Sequence, residues 1–198
     1  MILTLLRPII CIALFSFTLS AHAKVKEKKV PVILETSLGT IELELDNEKA
    51  PISVKNFLNY IDKKFYDGLV FHRVIDNFMI QGGGFNEKLQ IKPSDAAITN
   101  EANNGLKNDL GTIAMARTPS PNSATSQFYI NLKNNDFLNY KGPMPQDFGY
   151  AVFGKVTKGL DIVEKIGKVQ TTSASSMRDV PKDPVVIKSI RKKNAEKK

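Results

Sequence analysis

The strongest constraint on the fold of this chain is a series of short apolar segments, each about the length of a β-strand. Residues 30–36 and 40–45 predict a hairpin that turns at Ser37-Leu38-Gly39, because the second run alternates apolar residues with glutamates. Glycine, proline, asparagine and aspartate separate the later runs, which is typical of turns. Those runs lie at 69–75, 77–81, 112–116, 127–132, 150–156 and 184–190.

Two segments have the periodicity of a helix. Val54, Phe57 and Ile61 are spaced to share one helical face with Leu58, and Pro51 suits the first helical position, so an amphipathic helix is predicted over 51–64. A second, shorter helix is predicted near 159–167. Many strands with two helices favour a mainly β domain, a closed barrel with helical covers.

The chain has few residues for metal or thiol chemistry. Its one cysteine, Cys11, excludes a disulfide framework and a cysteine-rich zinc site, since both need several thiols. Two histidines, His22 and His72, leave little material for a histidine-based metal site. We therefore expect a function that requires neither a metal nor a cofactor.

The first 23 residues have the pattern of a signal peptide. Arg7 precedes an apolar stretch at 8–19, and Ala21-His22-Ala23 provides small residues before a cleavage site that we place after Ala23. A membrane anchor is the alternative, but about 12 apolar residues are too few for the roughly 20 that span a bilayer. The sequence predicts export to the periplasm, without a stable membrane anchor.

The net charge of +8 raises the alternative of nucleic-acid binding. The charge is concentrated at the ends: a lead-in at 24–29 and the segment 192–198 each hold four lysines and one glutamate. The domain that we place at 30–190 keeps only about +1, and the lysine-rich tail is placed at 191–198. Specific nucleic-acid binding by the domain is therefore not expected.

The triplet Gly82-Gly83-Gly84 raises the question of a phosphate-binding loop. No Lys-Ser/Thr pair and no helical pattern follow it, so nucleotide binding is not favoured. Glycines here indicate a close backbone approach or a positive φ angle.

The run 71–75 contains a charge among apolar residues. Strand alternation predicts Phe71, Arg73 and Ile75 on one face, with His72 as a structural residue on the other. A charge on an apolar face is costly unless it serves a partner or lines a pocket. Polar residues in or beside the apolar runs, which could satisfy backbone groups of the barrel, are Gln81, Asn100, Gln127 and Asn131.

Four separated motifs together resemble the cyclophilin-type peptidyl-prolyl isomerases, and exported bacterial members most closely. The motifs are FHRVI at 71–75, FMIQGGGF at 78–85, SQFYI at 126–130 and VFGKV at 152–156. The resemblance covers about 31–190. It implies an eight-stranded antiparallel β-barrel closed by two α-helices, which agrees with the pattern of strands and helices.

The resemblance also implies a site. Arg73 corresponds to the catalytic arginine of the family, and Gln81 to a residue that orients the substrate. The proline pocket would be lined by Phe78, Met79 and Tyr129, the adjoining groove by Ala116, Arg117 and Gln127, and the rim by Phe137 and Leu138, with Tyr150 also against the substrate.

The chain departs from many eukaryotic members at four of these positions. Phe137 replaces a tryptophan whose indole N–H contacts cyclosporin, so weak cyclosporin binding is expected. Tyr150 replaces a histidine, and Arg117 replaces an asparagine where we expect the backbone to contact the substrate. Tyr129 replaces the usual phenylalanine and adds a hydroxyl to the proline pocket.

The resemblance implies that the chain isomerises X-Pro bonds in proline-containing polypeptides. It also implies that the chain is a monomer. The alternative is a non-catalytic module of the same fold that holds proline-containing segments of a partner. The presence of all four of Arg73, Phe78, Met79 and Gln81 favours the enzyme.

Overall fold

Ten strands, two α-helices and two short 3-10 turns form residues 27–193, the part of the chain that the computed structural model describes. The predicted signal peptide lies outside the described residues. The strands are β1 (Lys29–Thr36), β2 (Gly39–Asp46), β3 (Leu69–Ile75), β4 (Met79–Asn86), β5 (Thr112–Met115), β6 (Phe128–Asn131), β7 (Val152–Lys158), β8 (Thr171–Ala174), β9 (Met177–Pro181) and β10 (Ile187–Lys192). The helices are α1 (Pro51–Asp62) and α2 (Leu160–Gly167), and the 3-10 turns are Ala102–Asn104 and Asp136–Leu138.

Eight strands form one antiparallel sheet in the order β10-β1-β2-β7-β5-β6-β4-β3. Its two edges meet, because Val70 bridges to Val186 and the Gly68 N–H donates to the Ile187 carbonyl at 2.9 Å. The sheet is thus a nearly closed barrel with two helices packed against its core. The predicted fold is confirmed.

The barrel interior holds the apolar side chains that the patterns predicted. Ile41 and Leu45 are fully buried and Leu43 nearly so, and the glutamates between them are less buried. In α1, Phe57 packs edge-on against Phe128 of β6, with ring centroids 5.4 Å apart. Such aromatic pairs add stability beyond the area they bury. The helix ends at Asp62, two residues before the predicted end.

The hairpin β8–β9 is absent from the sequence prediction. Its residues include no apolar run, and its turn holds Ser175 and Ser176 at φ 48° and 66°, a left-handed conformation that those residue types do not signal. The hairpin packs against β3 and brings Asp179, also at positive φ (62°), next to that strand.

A β-bulge in β3 corrects the predicted orientation of Phe71. Phe71 pairs with Gly82 and Arg73 pairs with Gln81, so His72 is one extra residue on β3. Phe71 and Val74 therefore both join the barrel core, while Arg73 is exposed on the outer face. The prediction that Phe71 and Arg73 share a face is wrong, because alternation holds only where no extra residue interrupts the ladder.

His72 is buried, as its predicted structural role requires. It is 4% exposed and its ring lies 4.6 Å from the ring of Phe85. Its Nδ1 has no hydrogen-bond partner within residues 27–193. Burial lowers the pKa of the imidazole to about 4, so His72 is neutral at pH 7.

The terminal strands extend into both basic segments. β1 begins at Lys29, whose Nζ lies 2.6 Å from a carboxylate oxygen of Asp46, and β10 ends at Lys192, beyond the predicted boundary at 190. Lys193 pairs with Glu42 at 2.9 Å.

Within residues 27–193, neither helix has the length and hydropathy needed to cross a membrane.

A distant carboxylate caps helix α1. The N-cap residue, Ala50, has no side-chain acceptor. Instead Glu101 accepts the Ile52 N–H at 2.9 Å through Oε1, and both the N–H and the hydroxyl of Ser53 at 2.7 Å through Oε2. A carboxylate at this end also interacts favourably with the helix dipole. The contact fixes the 99–105 loop to the helix.

We predict that Glu101→Ala lowers the free energy of unfolding by about 2 kcal/mol, because it leaves helix N–H groups without an acceptor. Urea unfolding followed by circular dichroism measures this change. Glu48→Ala is the control, since the Glu48 side chain forms an exposed ion pair with Lys28, and this variant should change stability by less than about 0.5 kcal/mol. Equal losses in the two variants would contradict the capping role.

The buried imidazole predicts a pH dependence of stability. The folded pKa of His72, about 4, lies below the unfolded value of 6.5, so below pH 6.5 the unfolded state takes up a proton that the folded state refuses. The contribution of His72 to the free energy of unfolding is fully present above pH 6.5. It is lost as the pH falls towards 4, by up to about 3 kcal/mol. His72 is the single histidine in 27–193, so His72→Gln should flatten the dependence measured by urea unfolding between pH 7 and pH 5. If His72→Gln leaves the slope of unfolding free energy against pH unchanged, the pH dependence does not come from His72.

Candidate active site

The outward face of the barrel carries a cavity of about 120 Å³ beside Arg73. Nine of the eleven site residues predicted from the sequence line it: Arg73, Phe78, Met79, Gln81, Ala116, Arg117, Tyr129, Leu138 and Tyr150. The other two touch its walls. Gln127 contacts Gln81, and Phe137 stacks on Phe78. The structure thus brings all eleven residues together.

Strand register explains how these residues meet. In β4, Met79 and Gln81 alternate with Ile80, and Gln81 lies opposite both Arg73 of β3 and Tyr129 of β6. Ile80 enters the barrel core, whereas Met79 and Tyr129 belong to a second apolar cluster on the outer face. Each of these strands therefore supplies the core with one face and the cavity with the other.

Larger cavities of about 180 and 190 Å³ lie elsewhere on the barrel. His72 lines the larger one, but its unpartnered Nδ1 is buried away from the open space. The cavity beside Arg73 differs in combining a cation, amide side chains and an apolar wall. Its chemistry, and not its size, identifies it as the candidate site.

Arg73 is exposed, with 44% of its side-chain surface accessible to solvent. Its Nε–H points to Oδ2 of Asp179 on β9 at 3.5 Å, a long charge-assisted contact. No hydrogen bond links its two Nη groups to other groups within residues 27–193. The Nη donors can therefore bind a group in the cavity. Asp179 was not predicted, because the hairpin that carries it was not predicted.

Arg117 forms part of the wall and its donors are already used. Its Nε–H donates to the Gly149 carbonyl at 2.8 Å, and Nη1 donates to the Thr118 carbonyl at 2.9 Å. The guanidinium also lies 4.6 Å from the centre of the Tyr150 ring. Arg117 therefore fixes the loops around the cavity, and Arg73 is the cation with donors available.

Two glutamines form an amide pair next to Arg73. Gln81 Nε2 donates to Gln127 Oε1 at 3.0 Å, which leaves Gln81 Oε1 and Gln127 Nε2 for other partners. Gly84 makes room for this pair, since a Cβ there would lie 2.6 Å from Cγ of Gln127. Gly83 has φ +86°. The predicted reasons for the glycine triplet, close approach and positive φ, are both confirmed.

An aromatic rim continues the apolar wall. The rings of Phe78 and Phe137 are stacked, 5.7 Å apart with 23° between their planes. Phe137 is 60% exposed, so one of its faces is open to solvent. An exposed aromatic ring beside a pocket is a surface that can bind an apolar group of a ligand.

The Tyr129 hydroxyl does not face the cavity, so the prediction that it adds a hydroxyl to the proline pocket is wrong. It donates to Oδ1 of Asn108 at 2.6 Å, and Asn108 is 1% exposed. Burial raises the pKa of Tyr129 well above its usual value, so the hydroxyl keeps its proton. Asn108 was missed in the sequence because it lies 21 residues from Tyr129 in a polar segment.

This arrangement offers one guanidinium between an apolar pocket and an amide pair. The described residues include no group of three His, Cys, Asp or Glu side chains placed to hold a metal ion. The cavity can hold a small apolar ring, while the amides bind a neighbouring peptide backbone and Arg73 donates to an atom between them.

Comparisons with known proteins match the whole described domain. The family model of cyclophilin type peptidyl-prolyl cis-trans isomerases matches residues 31–192. A peptidyl-prolyl cis-trans isomerase of Acinetobacter baylyi is 52% identical over 93% of this chain and 95% of its own length. Peptidyl-prolyl cis-trans isomerase A of Dickeya dadantii is 48% identical over 91% of this chain and 93% of its own length.

The comparison with solved structures points to the same family. A crystal structure of a cyclophilin type isomerase from Cryptosporidium parvum, obtained in the presence of the dipeptide Ala-Pro, has a TM-score of 0.68 and 27% identity. It covers 83% of this chain, which covers 99% of that one. The predicted enzyme class is therefore confirmed, and the chain belongs to the cyclophilin-type peptidyl-prolyl cis-trans isomerase family.

Proposed function

We propose that this chain accelerates rotation about X-Pro bonds of exported polypeptides, with Arg73 as its catalytic residue. The observation that carries the assignment is the position of Arg73. Its Nη donors are available at the edge of a cavity of about 120 Å³ that has one apolar wall. The relatives at about 50% identity, all named as isomerases, support turnover over simple binding.

The reaction requires no bond to be made or broken. Amide resonance opposes rotation with a barrier of roughly 18–20 kcal/mol. When the bond twists, the prolyl nitrogen becomes pyramidal and regains a lone pair that the planar ground state lacks. A guanidinium donor fixed near that nitrogen stabilises the twisted state more than the planar one, as catalysis requires.

The surrounding side chains make this interaction effective. Phe78, Met79 and Tyr129 form an apolar wall that can hold the proline ring and exclude water, and a hydrogen bond is stronger in such a low-dielectric site. Gln81 and Gln127 keep free amide groups that can bind the peptide backbone. One part of the substrate is thereby held while the other rotates.

The energy required is compatible with such a site. Lowering an isomerisation time from tens of seconds to milliseconds is about four powers of ten, or roughly 5–6 kcal/mol of barrier. Removing one preorganised donor typically costs about 10²–10³ in kcat. A donor of this kind, together with orientation of the substrate, accounts for the acceleration.

The location and partners extend this proposal. The pattern at 1–23 supports export with cleavage after Ala23. Amino-terminal sequencing of the exported chain tests this site, and the expected first residue is Lys24. The substrates would be proline-containing chains folding in the periplasm. We propose a monomer, for which light scattering is the test.

Cyclosporin binding should be weak, because the Phe137 ring has no N–H to donate. Calorimetric titration of the mature chain with cyclosporin measures this affinity, and tight binding would contradict the proposal. The exposed face of Phe137 still offers an apolar contact.

We predict that Arg73→Ala lowers kcat/KM for a short X-Pro peptide by about 10²–10³, because it removes the donor to the prolyl nitrogen. Arg73→Lys should recover little, since a single ammonium lacks the planar fork of donors. Arg191→Ala is the matched control, because Arg191 lies on β10 and pairs with Glu35 at 2.7 Å. Undiminished activity in Arg73→Ala would sink the catalytic assignment, and no acceleration by the wild type would favour the binding module.

Gly84→Ala should lower kcat/KM by about tenfold, because its methyl group displaces Gln127 from Gln81. Gly142→Ala is the control, since its Cβ would meet nothing closer than 3.9 Å. Peptide isomerisation and thermal unfolding are measured for both variants. The role of the amide pair would be refuted by full activity in Gly84→Ala.

A further inference from the structure

Four asparagines lie together behind the candidate site, and none is among the predicted site residues. This asparagine cluster consists of Asn108, Asn131, Asn135 and Asn139. Three of them are at most 1% exposed, and Asn139 is half-buried. Buried amides are costly unless they are hydrogen-bonded, so their bonds indicate what they hold in place.

The cluster binds two aromatic residues of the pocket. Asn108 Oδ1 accepts the Tyr129 hydroxyl at 2.6 Å. Asn135 Nδ2 donates to the Phe78 carbonyl at 2.9 Å, which fixes the backbone of the opposite wall. Both contacts approach the pocket from its buried side. A proline ring in the cavity would therefore meet the carbon atoms of Tyr129 and not its hydroxyl.

The same cluster fixes the rim. The Asn135 N–H donates to the Asn108 carbonyl at 2.8 Å, and Asn139 Oδ1 accepts the Asn108 N–H at 2.7 Å. These two contacts flank the 3-10 turn Asp136–Leu138, which carries Phe137 and Leu138. The rim turn is thus attached at both ends to the residue that holds the Tyr129 hydroxyl.

The bonds within the cluster make it continuous. Asn131 Nδ2 donates to Asn108 Oδ1 at 3.3 Å and to Thr112 Oγ1 at 2.9 Å, and Asn135 Nδ2 donates to Asn131 Oδ1 at 2.8 Å. Asn135 Oδ1 finds no partner within residues 27–193. An unpartnered buried acceptor disfavours folding, so stability alone is a poor explanation for this amide.

We propose that Asn108 is a positioning residue of the proline pocket. Its buried amide group fixes the Tyr129 ring in the pocket wall and also fixes the rim turn that carries Phe137 and Leu138. This inference rests on the proposed function, since it concerns the same pocket. Without Asn108, the Tyr129 hydroxyl would be buried beside no acceptor. The ring would then turn its hydroxyl towards the cavity, where the proline ring binds.

A double-mutant cycle tests the proposal, with Asn108→Ala, Tyr129→Phe and the double variant. Asn108→Ala should lower kcat/KM for a short X-Pro peptide by about tenfold, mainly through a higher KM, because the pocket loses its shape. In the Tyr129→Phe background there is no hydroxyl to satisfy, so the same change should cost less than about threefold. Equal factors in the two backgrounds would overturn the proposal.

Asn56→Ala is the matched control, because Asn56 is a buried asparagine whose amide donates to the Thr125 carbonyl outside the cavity. It should lower the unfolding midpoint and leave kcat/KM of the folded enzyme unchanged. If Asn108→Ala does not fold, Asn139→Ala replaces it, since Asn139 is half-buried and holds the Asn108 amide. Its loss of kcat/KM should likewise shrink in the Tyr129→Phe background.

Binding of the dipeptide Ala-Pro, followed by NMR chemical shifts, separates this inference from the proposed function. If the wild type binds Ala-Pro without accelerating isomerisation, the proposed function fails. The positioning role then still requires weaker binding in Asn108→Ala than in Asn56→Ala. Equal binding by these two variants would refute the positioning role whether or not the chain is catalytic.

Discussion

One extra residue in β3 sets the relation between the barrel and its site. His72 interrupts the ladder between Phe71 and Arg73, so the strand keeps Phe71 and Val74 in the core and still directs a charged side chain outward. Without the bulge, Arg73 would share a face with Phe71 and would have to be buried. A buried guanidinium without a partner is strongly unfavourable. The bulge therefore allows a cation and a closed core on one strand.

The site uses the outer face of strands whose inner face is the core. Phe128 and Ile130 fill the barrel while Tyr129, between them, faces the cavity. The backbone of the pocket wall is thereby as rigid as the core, because a displacement of the Tyr129 backbone would move its buried neighbours. This rigidity suits a reaction whose only requirement is a fixed donor and a fixed ring.

The sequence predicts most of the fold, because the β1–β2 hairpin and α1 have clear periodicity. The β8–β9 hairpin has none, since most of its residues are exposed and its two buried residues, Val180 and Pro181, are adjacent and do not alternate. Asp179 was missed with it. The bulge at His72 leaves no signal, because FHRVI has the composition of a regular strand. The eleven site residues came from a family resemblance. Asn108 could not be found, since only the folded chain places it under Tyr129.

The carboxylate of Glu101 makes the helix and the groove a single cooperative unit. It joins residues 48 positions apart, so the first turn of α1 cannot fray without releasing the loop that holds Asn100 against the Gly149 carbonyl. Local opening at either place should thus have the free energy of the larger unit. Protection of the Ser53 amide from hydrogen exchange would consequently report the order of the loop that borders the groove.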